Sequence, residues 1–164
     1  MGTHHTALVD PGARLGTGLE IGPFAVVEAE TAIGDGCELG AHSVVKRYTS
    51  MGARNRVHEG AILGGEPQDL GFGGGPSRLE IGDDNRIREG VTIHRATAQG
   101  GVTRVGSGCF LMAYSHVAHE DVIGDHVILA NNVALAGHVR IDERAFLSGG
   151  VVVHQFCRVG RLAM

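Results

Sequence analysis

The sequence predicts an all-β protein, a parallel β-helix wound from hexapeptide repeats, and three observations carry this. Every sixth residue from Val9 is aliphatic: Val9, Leu15, Ile21, Val27, Ile33, Leu39, Val45, Met51, Val57 and Leu63. The register resumes at Ile81, Ile87 and Ile93, then runs from Val105 through Leu111, Val117, Ile123, Leu129, Leu135, Ile141, Leu147 and Val153 to Val159. Second, Gly often follows the aliphatic residue, as in LGTG, IGPF, IGDG and VGSG, and the fifth slot of each hexad is usually small or β-branched. Third, aromatics are only 4% of the chain and Trp is absent, so the core must be aliphatic.

A period of six is not helical. It contains the alternation of a short strand, because the fifth slot and the next aliphatic residue lie two apart and face the same side. A turn must follow, and Gly serves it either by taking positive φ or by allowing close backbone approach. Three hexads make one triangular coil of about 18 residues. The first run of coils spans Val9 to Leu63. Residues 66–78, EPQDLGFGGGPSR, are rich in Gly and Pro and are expected to leave the coil as an external loop; 96–104, ATAQGGVTR, is a second. Coils resume between them and again from Val105. At 164 residues with no composition break, residues 1–164 are expected to form a single domain.

Composition removes several function classes. No apolar run approaches the roughly 20 residues that span a bilayer, and MGTHHTALVD lacks the basic start and apolar core of a signal peptide, so a cytoplasmic protein without stable membrane insertion is expected. A net charge of -4, with Arg interleaved among acids and few aromatic platforms, argues against nucleic acid. Cys37, Cys109 and Cys157 all fall in the fifth slot, are far apart in sequence and are placed on different coil faces, so neither a disulfide nor a zinc site is expected.

From Val105 to Val159 no insertion is visible, so residues 18 apart should stack about 4.8 Å apart on consecutive coils. This places His119, Gly137 and Gln155 in one column, Glu120, His138 and Phe156 in the next, and Ala118, Ala136 and His154 on the other side. An imidazole can take a proton from a hydroxyl at neutral pH, a carboxylate can orient it, and an exposed N–H at Gly137 can hold an oxyanion, a combination suited to acyl transfer. His116 and His119 form an HxxH pair, but on an extended strand positions three apart face opposite sides and do not chelate; no metal and no cofactor are expected. GFGGGP lacks the pattern of a phosphate loop. His42, His58 and His126 are expected to be ordinary solvated groups on the coil surface.

The stretches EPQDLGF, IGDDNRIREGVTIHRAT, SHVAHED, ILANNVALAGHV and VVVHQFCRVG resemble the UDP-N-acetylglucosamine O-acyltransferase family, which acts in the first step of lipid A biosynthesis. The resemblance implies a left-handed β-helix and a cytoplasmic homotrimer. It implies metal-free transfer of a 3-hydroxyacyl group from acyl carrier protein to the glucosamine 3-hydroxyl of UDP-N-acetylglucosamine, at clefts between subunits. By motif, His119 is the general base, Glu120 its acidic helper and Gly137 the oxyanion donor. Gln68 and Asp69 contact the sugar nucleotide from the first loop, and His94, His116, His138, His154 and Gln155 line the cleft. His94, whose face cannot be aligned across the second loop, is expected to join from a neighbouring chain. Glu120 stands where the family has Asp, Gly71 where it has Lys, and Ala96 where HRGT has Gly. The family continues through further coils and a C-terminal helical domain, so a truncated product or gene fragment is expected, with a non-catalytic trimeric scaffold as the competing function. The related UDP-3-O-acylglucosamine N-acyltransferase and the zinc-dependent γ-class carbonic anhydrase share the architecture; TIHRAT and the PQDL loop favour the O-acyltransferase.

Overall fold

The computed structural model describes residues 2–164. Among them, 23 short strands form three parallel sheets of eight, eight and seven strands, the arrangement of a left-handed parallel β-helix. Successive strands go to successive sheets, and each pairs with the strand one coil later. The register is 18 residues where nothing is inserted, as in Leu8↔Val26, Val26↔Val44 and Val44↔Ile62. No helix among the described residues is long and apolar enough to cross a membrane.

The hexad explains each face. In strands such as Val26–Val27 and Arg86–Ile87 the second residue is buried and the first is not, so the every-sixth aliphatic residues fill the interior from Ile21 to Val153. Burying each such side chain contributes about 1.5–3 kcal/mol. Val9, Leu15 and Val159, in the end coils, are covered on one side only and remain partly exposed. The structure also decides what the second-slot Gly is for. A Cβ on Gly34 would stand 2.6 Å from the Gly52 carbonyl carbon, so the need is close approach of neighbouring coils. Positive φ falls instead on the fourth slot, including Tyr48, Asp84, Glu120 and His138.

The two insertions appear where the register predicts, but both are shorter than expected. Arg78 already belongs to the strand Arg78–Ile81, and Val102–Val105 is a strand that pairs with it, so the loops cover 66–77 and 95–101. These strands are longer than the two-residue rungs because the chain re-enters the coil beside an equally extended neighbour. Pairing shifts to Ile62↔Thr92 across the first loop and Thr92↔His116 across the second, then returns to His116↔Ala134.

The cysteines need one correction of placement. Cys37 and Cys109 precede Glu38–Leu39 and Phe110–Leu111, which lie in the same sheet, so they share a face. They stay free because two coils separate them, occupied by Asn55 and Asn85. Burial pushes the Cys109 thiol up to about 11, while Cys157, in the last coil, is exposed rather than buried. The asparagines form an interior ladder. Asn55 Nδ2 donates to the Gly52 and Gly82 carbonyls, Asn55 Oδ1 accepts from the Asn85 N–H and Nδ2 at 2.9 Å each, and Asn85 Oδ1 accepts the Cys109 N–H at 2.8 Å. Asn85→Ala strands the Cys109 N–H in the interior and is expected to destabilise by about 1–3 kcal/mol, the cost of one orphaned buried group. Denaturant unfolding checks this.

Candidate active site

Both loops leave the coil at the same corner, after Gly65 and after His94. One coil beyond the second loop that corner is made by residues 118–121, and in the coil after that by 136–139. The corner therefore carries His119, Gly137 and two excursions of chain able to wall them.

His119 is 5% exposed, and its Nδ1 lies 2.5 Å from Glu120 Oε2. Nδ1–H donates to the carboxylate, which leaves the Nε2 lone pair as the acceptor. Nε2 is 3.9 Å from Asp69 Oδ2, brought in by the first loop. Glu120 is held in turn: Oε1 accepts the Thr97 and Ala98 N–H groups at 2.7 and 2.8 Å, and its own N–H donates to Thr103 Oγ1 at 2.9 Å. One carboxylate thus orients the imidazole and ties down the second loop. The His138 ring meets His119 edge-on at 5.4 Å and stacks on Phe156 at 4.8 Å, with its Nε2 3.9 Å from Glu120 Oε2. Gly137 lies directly beneath the His119 ring, and among the described residues its N–H makes no hydrogen bond.

His94 and His116 sit beside this group on the flat face. Their rings meet edge-on at 4.7 Å, and His116 Nδ1 is 2.7 Å from Thr92 Oγ1. Burial, then the neighbouring His116 and His119, lower the His94 pKa to about 4, and burial with His119 lowers His116. His94 is therefore neutral at pH 7, able to hydrogen-bond a ligand without charging. Its buried Nδ1 has no hydrogen-bond partner among the described residues. The Gly71 N–H, 2.8 Å from Asp69 Oδ1, is the main cause that holds the Asp69 carboxyl below its ordinary range, aided by His119. Burial pushes Asp121 up to about 8, but each of its two oxygens accepts a backbone N–H, from Ala118 and Val139, which is the bonding of the ionised form.

The first loop is fastened by Arg95. This side chain is 4% exposed, with its guanidinium 5.3 Å from the Tyr48 ring centre and 5.0 Å from that of Phe72. Glu66 adds a 3.4 Å ion pair, but Glu66 is 71% exposed and the pair contributes little. The aromatic sandwich is the stronger hold, since a desolvated cation over a ring is worth up to about 2 kcal/mol. Arg95→Ala is expected to free residues 66–77, raising their rate of proteolytic nicking several-fold while the coils stay intact; Arg95→Lys, which lacks the planar stack, is expected to recover only part.

The structure thus assembles His119, Glu120, Gly137, His138 and Asp69, with His94 and His116 adjoining. Two expectations change. His94 joins from its own chain, because strand Thr92–His94 pairs with His116–Val117. Gly137 is not exposed but covered by the His119 ring. Gln68, His154 and Gln155 are exposed, and no hydrogen bond links them to the His119 group among the described residues. The Thr97 and Ala98 amides, Thr103, Arg95 and Phe72 were missed, since register cannot be counted through a loop. Asp121 had a signal, an ionisable residue in an interior slot. Ligand atoms of His119, Glu120 and His138 lie within 4.8 Å of one another. However, two atoms bound to one tetrahedral zinc at ~2.0 Å stand ~3.3 Å apart, so the 2.5 Å Nδ1–Oε2 separation is that of a hydrogen bond.

Fold and corner together define a hexapeptide-repeat β-helix with a histidine–carboxylate pair, the class of the bacterial hexapeptide transferases. The family described as "Bacterial transferase hexapeptide (six repeats)" matches residues 7–47. A curated relative from Herminiimonas arsenicoxydans, an acyl-[acyl-carrier-protein]--UDP-N-acetylglucosamine O-acyltransferase, is 54% identical over 98% of this chain and 62% of its own length. The solved UDP-N-acetylglucosamine acyltransferase of Francisella novicida superposes with a TM-score of 0.95 at 42% identity, covering 97% of this chain and 58% of its own. That of Bacteroides fragilis 9343 gives 0.94 at 40% identity, with 98% and 63% covered. Over nearly its whole length the chain is similar to UDP-N-acetylglucosamine O-acyltransferases, and it spans about three fifths of the length of the curated relatives it matches.

Proposed function

We propose that the chain catalyses transfer of a 3-hydroxyacyl group from acyl carrier protein to the 3-hydroxyl of the glucosamine ring in UDP-N-acetylglucosamine. The observation that carries it is the His119 imidazole, bonded through Nδ1 to Glu120 at 2.5 Å and lying over the unbonded N–H of Gly137. His119 Nε2 takes the proton of the sugar hydroxyl as its oxygen attacks the thioester carbonyl. The imidazolium formed is stabilised by Glu120, and the oxyanion of the tetrahedral intermediate accepts the Gly137 N–H once the substrate displaces the ring by a small rotation. Collapse breaks the C–S bond, and the carrier thiolate leaves with the proton from His119. General-base help supplies about 10²–10⁴-fold and an oxyanion donor about 10²–10³-fold.

Asp69 and the neutral His94 and His116 are the groups placed to hold sugar hydroxyls and the acetamido group. The working form is a homotrimer in the cytoplasm, in which a second subunit closes the cleft over this corner and brings further groups near His154 and Gln155. Support for this comes from the outward residues of the sheet bearing His116: Leu8, Val26, Val44, Ile62, Ala134 and Val152, a mostly apolar row suited to burial.

The test is incubation of the chain with 3-hydroxyacyl carrier protein and UDP-N-acetylglucosamine, with the sugar nucleotide product weighed by mass spectrometry. A product heavier by one 3-hydroxyacyl group is expected; its absence, at enzyme concentrations matching the substrate, overturns the assignment.

A further inference from the structure

Asp121 is the one carboxylate among the described residues that is fully buried. It occupies the fifth slot of its hexad, which elsewhere in the coils holds Ala, Val, Leu, Cys, Ser, Thr or Asn. Its Oδ2 accepts the Ala118 N–H at 2.9 Å and its Oδ1 accepts the Val139 N–H at 2.7 Å. Both bonds replace a regular feature of the coil.

In other coils the N–H after the interior aliphatic residue donates to the next coil: Asp10 to Val27 O, Glu28 to Val45 O, Lys46 to Leu63 O and Ala136 to Val153 O. Ala118 gives this N–H to Asp121 instead, and the ladder between His116–Val117 and Ala134–Leu135 pairs only at His116↔Ala134. Likewise, fifth-slot N–H groups commonly close their own turn on the carbonyl three residues back, as Ser115 does on Met112, Val133 on Ala130 and Ala145 on Asp142. Val139 bonds to Asp121 instead. The turn that carries His119 and the turn that carries Gly137 have each given up a backbone bond to the same buried carboxylate.

We propose that Asp121 is a positioning residue, a carboxylate buckle that sets the turn bearing His119 against the turn bearing Gly137. It touches neither substrate nor reacting atoms and acts through the backbone on both sides of the reaction centre. Its kinetic consequence rests on the acyl-transfer assignment above; its structural consequence does not.

The test is Asp121→Asn, which keeps the shape but turns an NH₂ toward one of the two backbone donors, so one bond is lost. Asn85→Ala, which breaks an interior ladder on another face, serves as the control for destabilisation alone. Displacing a reacting group by a fraction of an ångström to 1 Å costs up to about 100-fold, so Asp121→Asn is expected to lower kcat about 10- to 100-fold with KM for UDP-N-acetylglucosamine within about twofold. Asn85→Ala, assayed below its melting transition, is expected to keep its kcat. Equal kcat in Asp121→Asn and the unaltered chain overturns the proposal. A second readout needs no turnover: the Gly137 amide and His119 imidazole NMR signals are expected to shift in Asp121→Asn and stay in place in Asn85→Ala. Unshifted signals overturn the buckle whatever the activity. An unaltered chain that is inactive while these signals shift overturns the acyl-transfer assignment and upholds the buckle.

Discussion

His119→Ala is expected to lower kcat for acyl transfer by about 10²–10⁴-fold, the range that a positioned general base supplies. The mutation removes Nε2, the nitrogen proposed above to accept the sugar proton, whose partner nitrogen is committed to Glu120 at 2.5 Å. Structural damage is expected to be small. Glu120 remains held by the Thr97 and Ala98 N–H groups, and the interior aliphatic stack does not include residue 119. Steady-state kinetics with carrier-bound substrate checks the rate, and the far-ultraviolet circular dichroism of the variant checks the fold. Turnover at the unaltered rate would mean that another group is the base.

The second large effect is expected from Gly137→Ala. Gly137 does not hold a positive φ, so alanine can adopt its backbone conformation without strain. Space is the difficulty: an added Cβ would stand 2.8 Å from His119 Nδ1 and closer still to Cε1 and Nε2. The atoms in the way belong to a side chain rather than to backbone, so the imidazole moves and its bond to Glu120 is lost. A fall in kcat of about 100-fold or more is expected with the coil intact. The double variant His119→Ala, Gly137→Ala is expected to be little worse than His119→Ala alone, because the methyl group harms the reaction mainly through the ring it displaces. Additive losses in the double variant would place the defect at the N–H itself.

The same few features mark how far the amino-acid sequence reaches. The six-residue register specified the interior almost residue by residue, because the side-chain alternation of a two-residue strand and a rigid coil of 18 admit one register that buries the aliphatic set. It also stacked His119 over Gly137 and Glu120 beside His138, since no insertion intervenes. The two loops were recognisable from Gly and Pro, but their ends were off by one residue at Arg78 and by three at Val102–Arg104, where extended strands pair with each other.

What the tertiary structure alone decided lies across those loops. A register counted by sixes has no meaning through an insertion, so the placement of His94 beside His116, the approach of Asp69 to His119 and the Arg95 sandwich between Tyr48 and Phe72 depend on loop paths set by long-range contacts. The hydrogen bonds of Asp121 belong to the same category. The sequence by itself determined a β-helix and the column that holds His119, because periodic burial is a local property repeated many times; the tertiary structure decided which groups surround His119, because each is held by a single contact between distant parts of the chain.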